Sequence, residues 1–246
     1  MIAATTAVVE PGGVLGELAC APPLTVRQVH SDVPERCELR LVGTAAGPLT
    51  DDELSLSLSL RVGARATLRA TGATLAQGRS DGGGGSAATL LIRADLADDS
   101  DLIADPGALI ICQGSRVDVR IEIALGRRSA LEWRELIVLG RTGEPPGAAT
   151  LRWDVSRLGL PVLRQYVDLS DPALTAWAGL TGHHRVLACA VIADPVGELR
   201  TLVAAPTSVA QLLNDGTLLV TVLGDDAATA SRELDDLCAR ARNSPR

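Results

Sequence analysis

Residues 54–75 read LSLSLSLRVGARATLRATGATL, and the first seven alternate leucine with serine before the run breaks at Gly63. A two-residue period puts Leu54, Leu56, Leu58 and Leu60 on one face of a strand and Ser55, Ser57 and Ser59 on the other. The leucine face needs an apolar partner layer, whereas the serine face can meet water. Gly63 supplies a turn, and residues 64–69 read as a return strand.

The pattern comes back twice. VDVRIEIALGRRSALEWRE (residues 117–135) places Val117, Val119, Ile121 and Ile123 on one face, breaks at Gly126 and resumes at Leu131. TLLIRADLADDSDLIAD (residues 89–105) is a weaker copy with Asp98 and Asp99 at the break. Units returning at this interval predict stacked β-hairpins, in a solenoid or a sandwich, and the repeats leave both open. RSDGGGGSAA (residues 79–88) reads as a flexible loop. Near the C-terminus, TLLVTVLG (residues 217–224) reads as a last strand. DDAATASRELDDLCARAR (residues 225–242) reads as a helix capped by Asp225 or Asp226, with Leu234, Leu237 and Cys238 on one side. A shorter helix is expected at residues 208–213. The expected fold is mainly β, with about two α-helices near the C-terminus and one domain over residues 1–246.

Composition narrows the function. The chain is 46% hydrophobic but 2% aromatic, without Phe, so its core is aliphatic. Its net charge of -7 argues against a nucleic-acid binder. No apolar run approaches the roughly 20 residues of a membrane span, and the N-terminus lacks the basic start of a signal peptide. Cys20, Cys37, Cys112, Cys189 and Cys238 are widely spaced, which suits reduced thiols in a cytoplasmic protein. No metalloprotease, nucleophile-elbow or glycine-rich nucleotide motif occurs, and the chain has no Lys for a phosphate loop. Carboxylates such as Asp51 and Asp52 fall in expected turns.

One segment stands apart. In LEWRELIVLGRTGEPPG (residues 131–147), Glu132, Arg134, Glu135, Arg141 and Glu144 bracket an apolar run. Such charges form either a salt-bridged rim or a binding surface. The segment resembles the signature of the urease accessory protein UreD (UreH) family, in its actinobacterial branch. Its W-R-E…V-L-G-R…G-E-P-P-G pattern is matched by Trp133, Arg134, Glu135, Val138, Leu139, Gly140, Arg141, Gly143 and Glu144. AAGPLTDDELSLSLSLRVGARATLRATGAT, ADPGALIICQGSRVDVRIEIAL, PVLRQYVDL and GLTGHHRVLA resemble further family blocks in the same order, from about Arg40 to Ala190.

The resemblance implies a β-rich, non-catalytic protein that joins UreF-like and UreG-like accessory proteins on apo-urease and helps deliver nickel. It implies no tightly bound cofactor, only transient Ni²⁺, and no nucleic-acid or membrane partner. A water-filled tunnel has been proposed for the family. Asp52, Glu135, Arg141 and Glu144 are then candidates for an interface or conduit. His183, which with Gly182 matches a family Gly-His pair, is the candidate transient nickel ligand; His184 lacks that match. An imidazole suits Ni²⁺, while a plain turn with one solvated and one packed histidine is the alternative. The chain departs from the family pattern at Thr50 and Asp51, at Thr142, and at residues 75–77. Competing classes are a ligand-binding β-module, which the scarcity of aromatics disfavours, and a β-helical enzyme, which lacks a recognisable site. A far-UV circular dichroism spectrum dominated by strand, with a small helical share, is expected; a helix-dominated spectrum would refute this architecture.

Overall fold

The computed structural model of the chain describes residues 1–78, 85–178, 180–194, 198–213 and 216–242, so the glycine-rich run lies largely outside the described residues. The chain opens with β1 (Ile2–Glu10) and β2 (Val14–Ala19), then β3 (Leu24–Val29) and β4 (Arg36–Gly43). The leucine–serine stretch forms β5 (Glu53–Leu60) and β6 (Arg65–Ala70), followed by the short β7 (Thr74–Ala76). Its weaker copy forms β8 (Ala88–Leu96) and β9 (Asp101–Asp105), followed by β10 (Ala108–Ile111). The third copy forms β11 (Arg116–Leu125) and β12 (Ala130–Leu139). After β13 (Ala148–Arg157) and β14 (Leu160–Asp168) comes a one-turn helix, α1 (Pro172–Thr175). The chain closes with β15 (Val186–Ala193), β16 (Leu202–Ala205), β17 (Ser208–Leu212), β18 (Thr217–Gly224) and α2 (Ala227–Ala241).

The repeated units are arches, not hairpins. β5 bonds in parallel to β8 and to β1, while β6 crosses to the opposite sheet and bonds in parallel to β4 and β9. The other two copies do the same. A seven-stranded sheet in the order β14-β13-β11-β8-β5-β1-β2 therefore faces an eleven-stranded sheet. The path of the second sheet is β16-β17-β18-β15-β12-β9-β6-β4-β3, with β7 and β10 attached to one side. Alternation cannot distinguish an arch from a hairpin, because either one points its leucines into a shared core. The turns decide it. The Gly63 amide donates to the Asp98 carbonyl at 3.1 Å, and Asp98 Oδ1 accepts the Arg127 amide at 2.7 Å, so each turn bonds to the next rung's turn. Asp99 takes a left-handed φ of 60° where the first copy has Gly63 at φ 72°, and it is held by Arg128 at 2.6 and 2.7 Å.

Register aligns the core in columns. Thr5, Leu56, Ile92, Ile121 and Trp153 are successive partners in the first sheet. Leu39, Leu68, Ala104, Trp133 and Val191 are successive partners in the second. The small Ala104 beside Trp133 makes room for the indole. A second core lies on the outer face of the second sheet, where Ala230, Leu234, Leu237 and Cys238 of α2 cover Ala188, Ala190, Val220 and Val222. Asp226 caps α2 by accepting the Thr229 amide at 2.8 Å, as expected of an aspartate at that position.

The helix content differs from expectation. Residues 208–213 do not form a helix; Ser208–Leu212 is strand β17, paired antiparallel with β18. So short a segment carries little intrinsic preference, and the open edge of β18 captures it. Among the described residues α2 is the one helix longer than a single turn. Leu58 is 1% exposed while its neighbour Ser57 points outward, half-buried. Leu58→Ala is expected to cost about 2–5 kcal/mol of unfolding free energy. Ser57→Ala is expected to change it by less than about 0.5 kcal/mol, both read from urea midpoints.

Candidate functional site

Strand parity sorts the charged segment into separate places. Along β12, Leu131, Trp133, Ile137 and Leu139 face the inter-sheet core. Glu135 shares their parity, so its carboxyl lies inside the solenoid. It is 7% exposed, and its Oε1 accepts the Trp133 indole N–H at 2.8 Å. Directly across the strand pair stands Cys189 of β15. Glu135 and Cys189 line a cavity of about 20 Å³ between the sheets, with Trp153, Gln165, Leu151 and Leu187. That is room for about one water.

Burial pushes the Glu135 carboxyl up to about 8, against the lowering effect of the indole N–H and with a further rise from Asp105. Burial likewise pushes the Cys189 thiol up to about 12, with Glu135 adding to it and Thr221 opposing it. At neutral pH the site holds a carboxylic acid facing a neutral thiol.

The remaining charges lie elsewhere. Glu132 points to the outer face, where it accepts from Arg134 at 2.8 Å and from Arg242 at 2.5 Å, and Arg134 also pairs with Asp235 of α2. Burial raises the Glu132 carboxyl, but the Arg242 and Arg134 guanidiniums overcome it and hold the group below the usual range. This cluster fastens α2 to the sheet. Arg141 and Glu144 occupy the turn beyond β12, six or more residues from Glu135 and hence roughly 20 Å along the chain. Glu144 accepts the Arg141 amide at 2.9 Å, the Arg141 guanidinium at 3.0 Å and the Gln113 amide at 3.3 Å. Those bonds bring its carboxyl down to about 2. Arg185 reinforces the turn by donating to the carbonyls of Leu139, Arg141 and Glu144 at 2.9–3.2 Å. Gly140 sits there at φ 77°, where a Cβ would meet the Glu144 carbonyl at 2.9 Å. Thr142 is exposed in the same turn.

Asp52, 4% exposed, accepts the Met1 amine at 2.7 Å and the Leu49 amide at 2.8 Å near the start of β5. His183 is exposed at φ 73°, whereas His184 is half-buried with its Nδ1 3.2 Å from Asp225. The five candidates therefore do not converge; only Arg141 and Glu144 touch. Among the described residues no three His, Cys, Asp or Glu side chains form a group able to hold a metal ion. All five cysteines are free, and Cys20 alone is not fully buried. No helix among the described residues is long and apolar enough to cross a membrane. The partners Arg185 and Arg242 carry no sequence signal, since each meets its acceptors through the fold.

A family model described as UreD urease accessory protein matches residues 5–245. The chain is similar to urease accessory protein UreD 1 of Saccharopolyspora erythraea, 34% identical over 90% of this chain and 86% of the relative. It is similar to the urease accessory protein UreD of Frankia alni, 33% identical over 90% of this chain and 76% of the relative. The UreD of Streptomyces coelicolor is 32% identical over 93% of this chain and 90% of its own length. These relatives are named as accessory proteins, which suggests a non-catalytic role.

The raised Glu135 carboxyl makes stability pH-dependent. A carboxyl whose folded-state pKa is raised binds its proton more tightly when folded. The stabilisation is thus complete below the unfolded value of 4.5 and is lost as pH rises toward about 8. Glu135→Gln, which mimics the neutral acid, should melt close to the parent at pH 4.5 and above it at pH 8, with the gap widening between them. A gap that stays constant across this window would contradict the assignment.

Proposed function

Because the chain belongs to the UreD urease accessory protein family, we propose that it is a non-catalytic cytoplasmic scaffold that acts as one unit over residues 1–246. In this reading it joins UreF-like and UreG-like proteins on apo-urease and helps pass nickel to the enzyme. The observation that carries the reading is the position of Glu135. A carboxyl kept neutral inside an apolar core is costly to retain for packing alone. A divalent cation arriving in the cavity would displace its proton and bind the carboxylate, and departure of the ion would restore the acid. With one carboxylate, and only the Gln165 amide and a neutral Cys189 thiol beside it, the stop is weak, as a transfer route requires. His183, exposed at a turn, is proposed as a separate transient ligand, because a neutral imidazole accepts Ni²⁺. Asp52, Arg141 and Glu144 are proposed as supports: Asp52 and Glu144 bind backbone amides and thereby shape turns that a partner could read.

The test is urease activation in cells that co-express urease and its accessory proteins, at matched protein levels and graded nickel. Glu135→Gln should lower activation several-fold at limiting nickel while leaving the fold intact. His183→Ala should lower it at limiting nickel and recover in excess, and His184→Ala should have little effect. Full activation by Glu135→Gln at limiting nickel would refute the conduit role. A His183→Ala loss that persists at saturating nickel would make that residue structural.

A further inference from the structure

On the outer face of the second sheet, α2 covers the half built from β12 and β15–β18. The other half, β3–β4–β6, carries a row of arginines. Arg27 of β3 is the cross-strand partner of Arg40 of β4, and Arg40 is the partner of Arg69 of β6. Directly paired residues share a face, and Leu39, Leu41 and Leu68 beside them fill the core, so all three arginines point outward. Strand spacing places their stems roughly 4.8 Å apart. Arg27 and Arg69 are exposed, and the Arg40 side chain is 32% exposed.

The fold accounts for only part of this row. Like charges set directly opposite one another on a sheet are destabilising. Glu38 lies 2.8 Å from Arg40 and 3.6 Å from Arg69, and Asp105 faces Arg69 at the end of the row. The Arg27 side chain makes no ion pair or hydrogen bond among the described residues. The patch is therefore cationic on a chain whose net charge is -7.

We infer that the Arg27–Arg40–Arg69 row is a docking surface for an extended acidic segment of a protein partner. Guanidinium forks match carboxylates bidentately. In a polyproline-II-like segment, residues i and i+3 lie on one face about 9.3 Å apart, which fits the roughly 9.6 Å from Arg27 to Arg69. Nucleic acid fits worse: it needs a longer positive track, and the rest of the chain repels it. An anionic bilayer is repelled in the same way. The inference does not depend on the nickel-delivery reading.

The test is fluorescence anisotropy with the full chain and a labelled peptide repeating Glu-Pro-Ala, against its Gln-Pro-Ala counterpart. At low salt the acidic peptide should bind at least about tenfold more tightly, and the preference should shrink as salt is added. R27Q should weaken the preference and melt close to the parent, because the Arg27 side chain makes no ion pair among the described residues; R27Q/R69Q should abolish the preference, and R27K/R69K should keep part of it. Equal binding of both peptides, no binding of either, or a preference that survives in R27Q/R69Q would overturn the proposal. So would a folded R27Q chain that keeps the full preference. A single-stranded oligonucleotide or phosphatidylserine vesicles binding as well as the acidic peptide would overturn it in favour of another ligand.

Discussion

The structure depends on parallel hydrogen-bond ladders that hold equivalent residues of successive rungs in register. Because side chains alternate across a strand, a slip of one residue would turn every inward leucine out. Leu54, Leu56, Leu58 and Leu60 face Leu90, Ile92, Ala94 and Leu96, and these in turn face Val119, Ile121, Ile123 and Leu125. No Phe is needed to fill such a core, since stacked aliphatic side chains of similar size already interlock. Where a large group enters, as at Trp133, a small one sits beside it, as at Ala104.

The same ladder assigns three glutamates of one short segment to three environments. Glu132 faces out and finds two guanidiniums, so it stays ionised although buried. Glu144 lies past the strand's end and takes the Arg141 guanidinium and two backbone amides, so it is held strongly acidic. Glu135 faces in and finds an indole N–H but no cation, so it keeps its proton. Identical side chains thus become an anchor, a turn brace and a buried neutral acid, according to parity and position alone.

Much of this was legible in the sequence. The leucine–serine run, its two copies, the last strand and the capped C-terminal helix all stand where their patterns put them, because each rests on local periodicity. The run from Leu131 to Leu139 carries the parity that separates Glu132 from Glu135. Three features were not legible. Whether Gly63 closes a hairpin or an arch is decided by bonds to the Asp98 turn, far away in sequence. The strand at Ser208–Leu212 is imposed by its neighbour. Arg185 and Arg242 meet their acceptors only once distant strands are assembled, and the pairing of Arg27 with Arg40 and Arg69 needs the register of three strands.

Parallel rungs invite indefinite growth, since each exposed strand is a template for another like it. In the first sheet both ends are closed by antiparallel strands, β2 against β1 and β14 against β13. In the second, β3 against β4 ends one side, and the antiparallel run from β15 to β16 ends the other. Within the chain's described residues, no further parallel rung follows at these edges. The antiparallel strands thus end the run of parallel rungs, so the repeat carries its own stop signals.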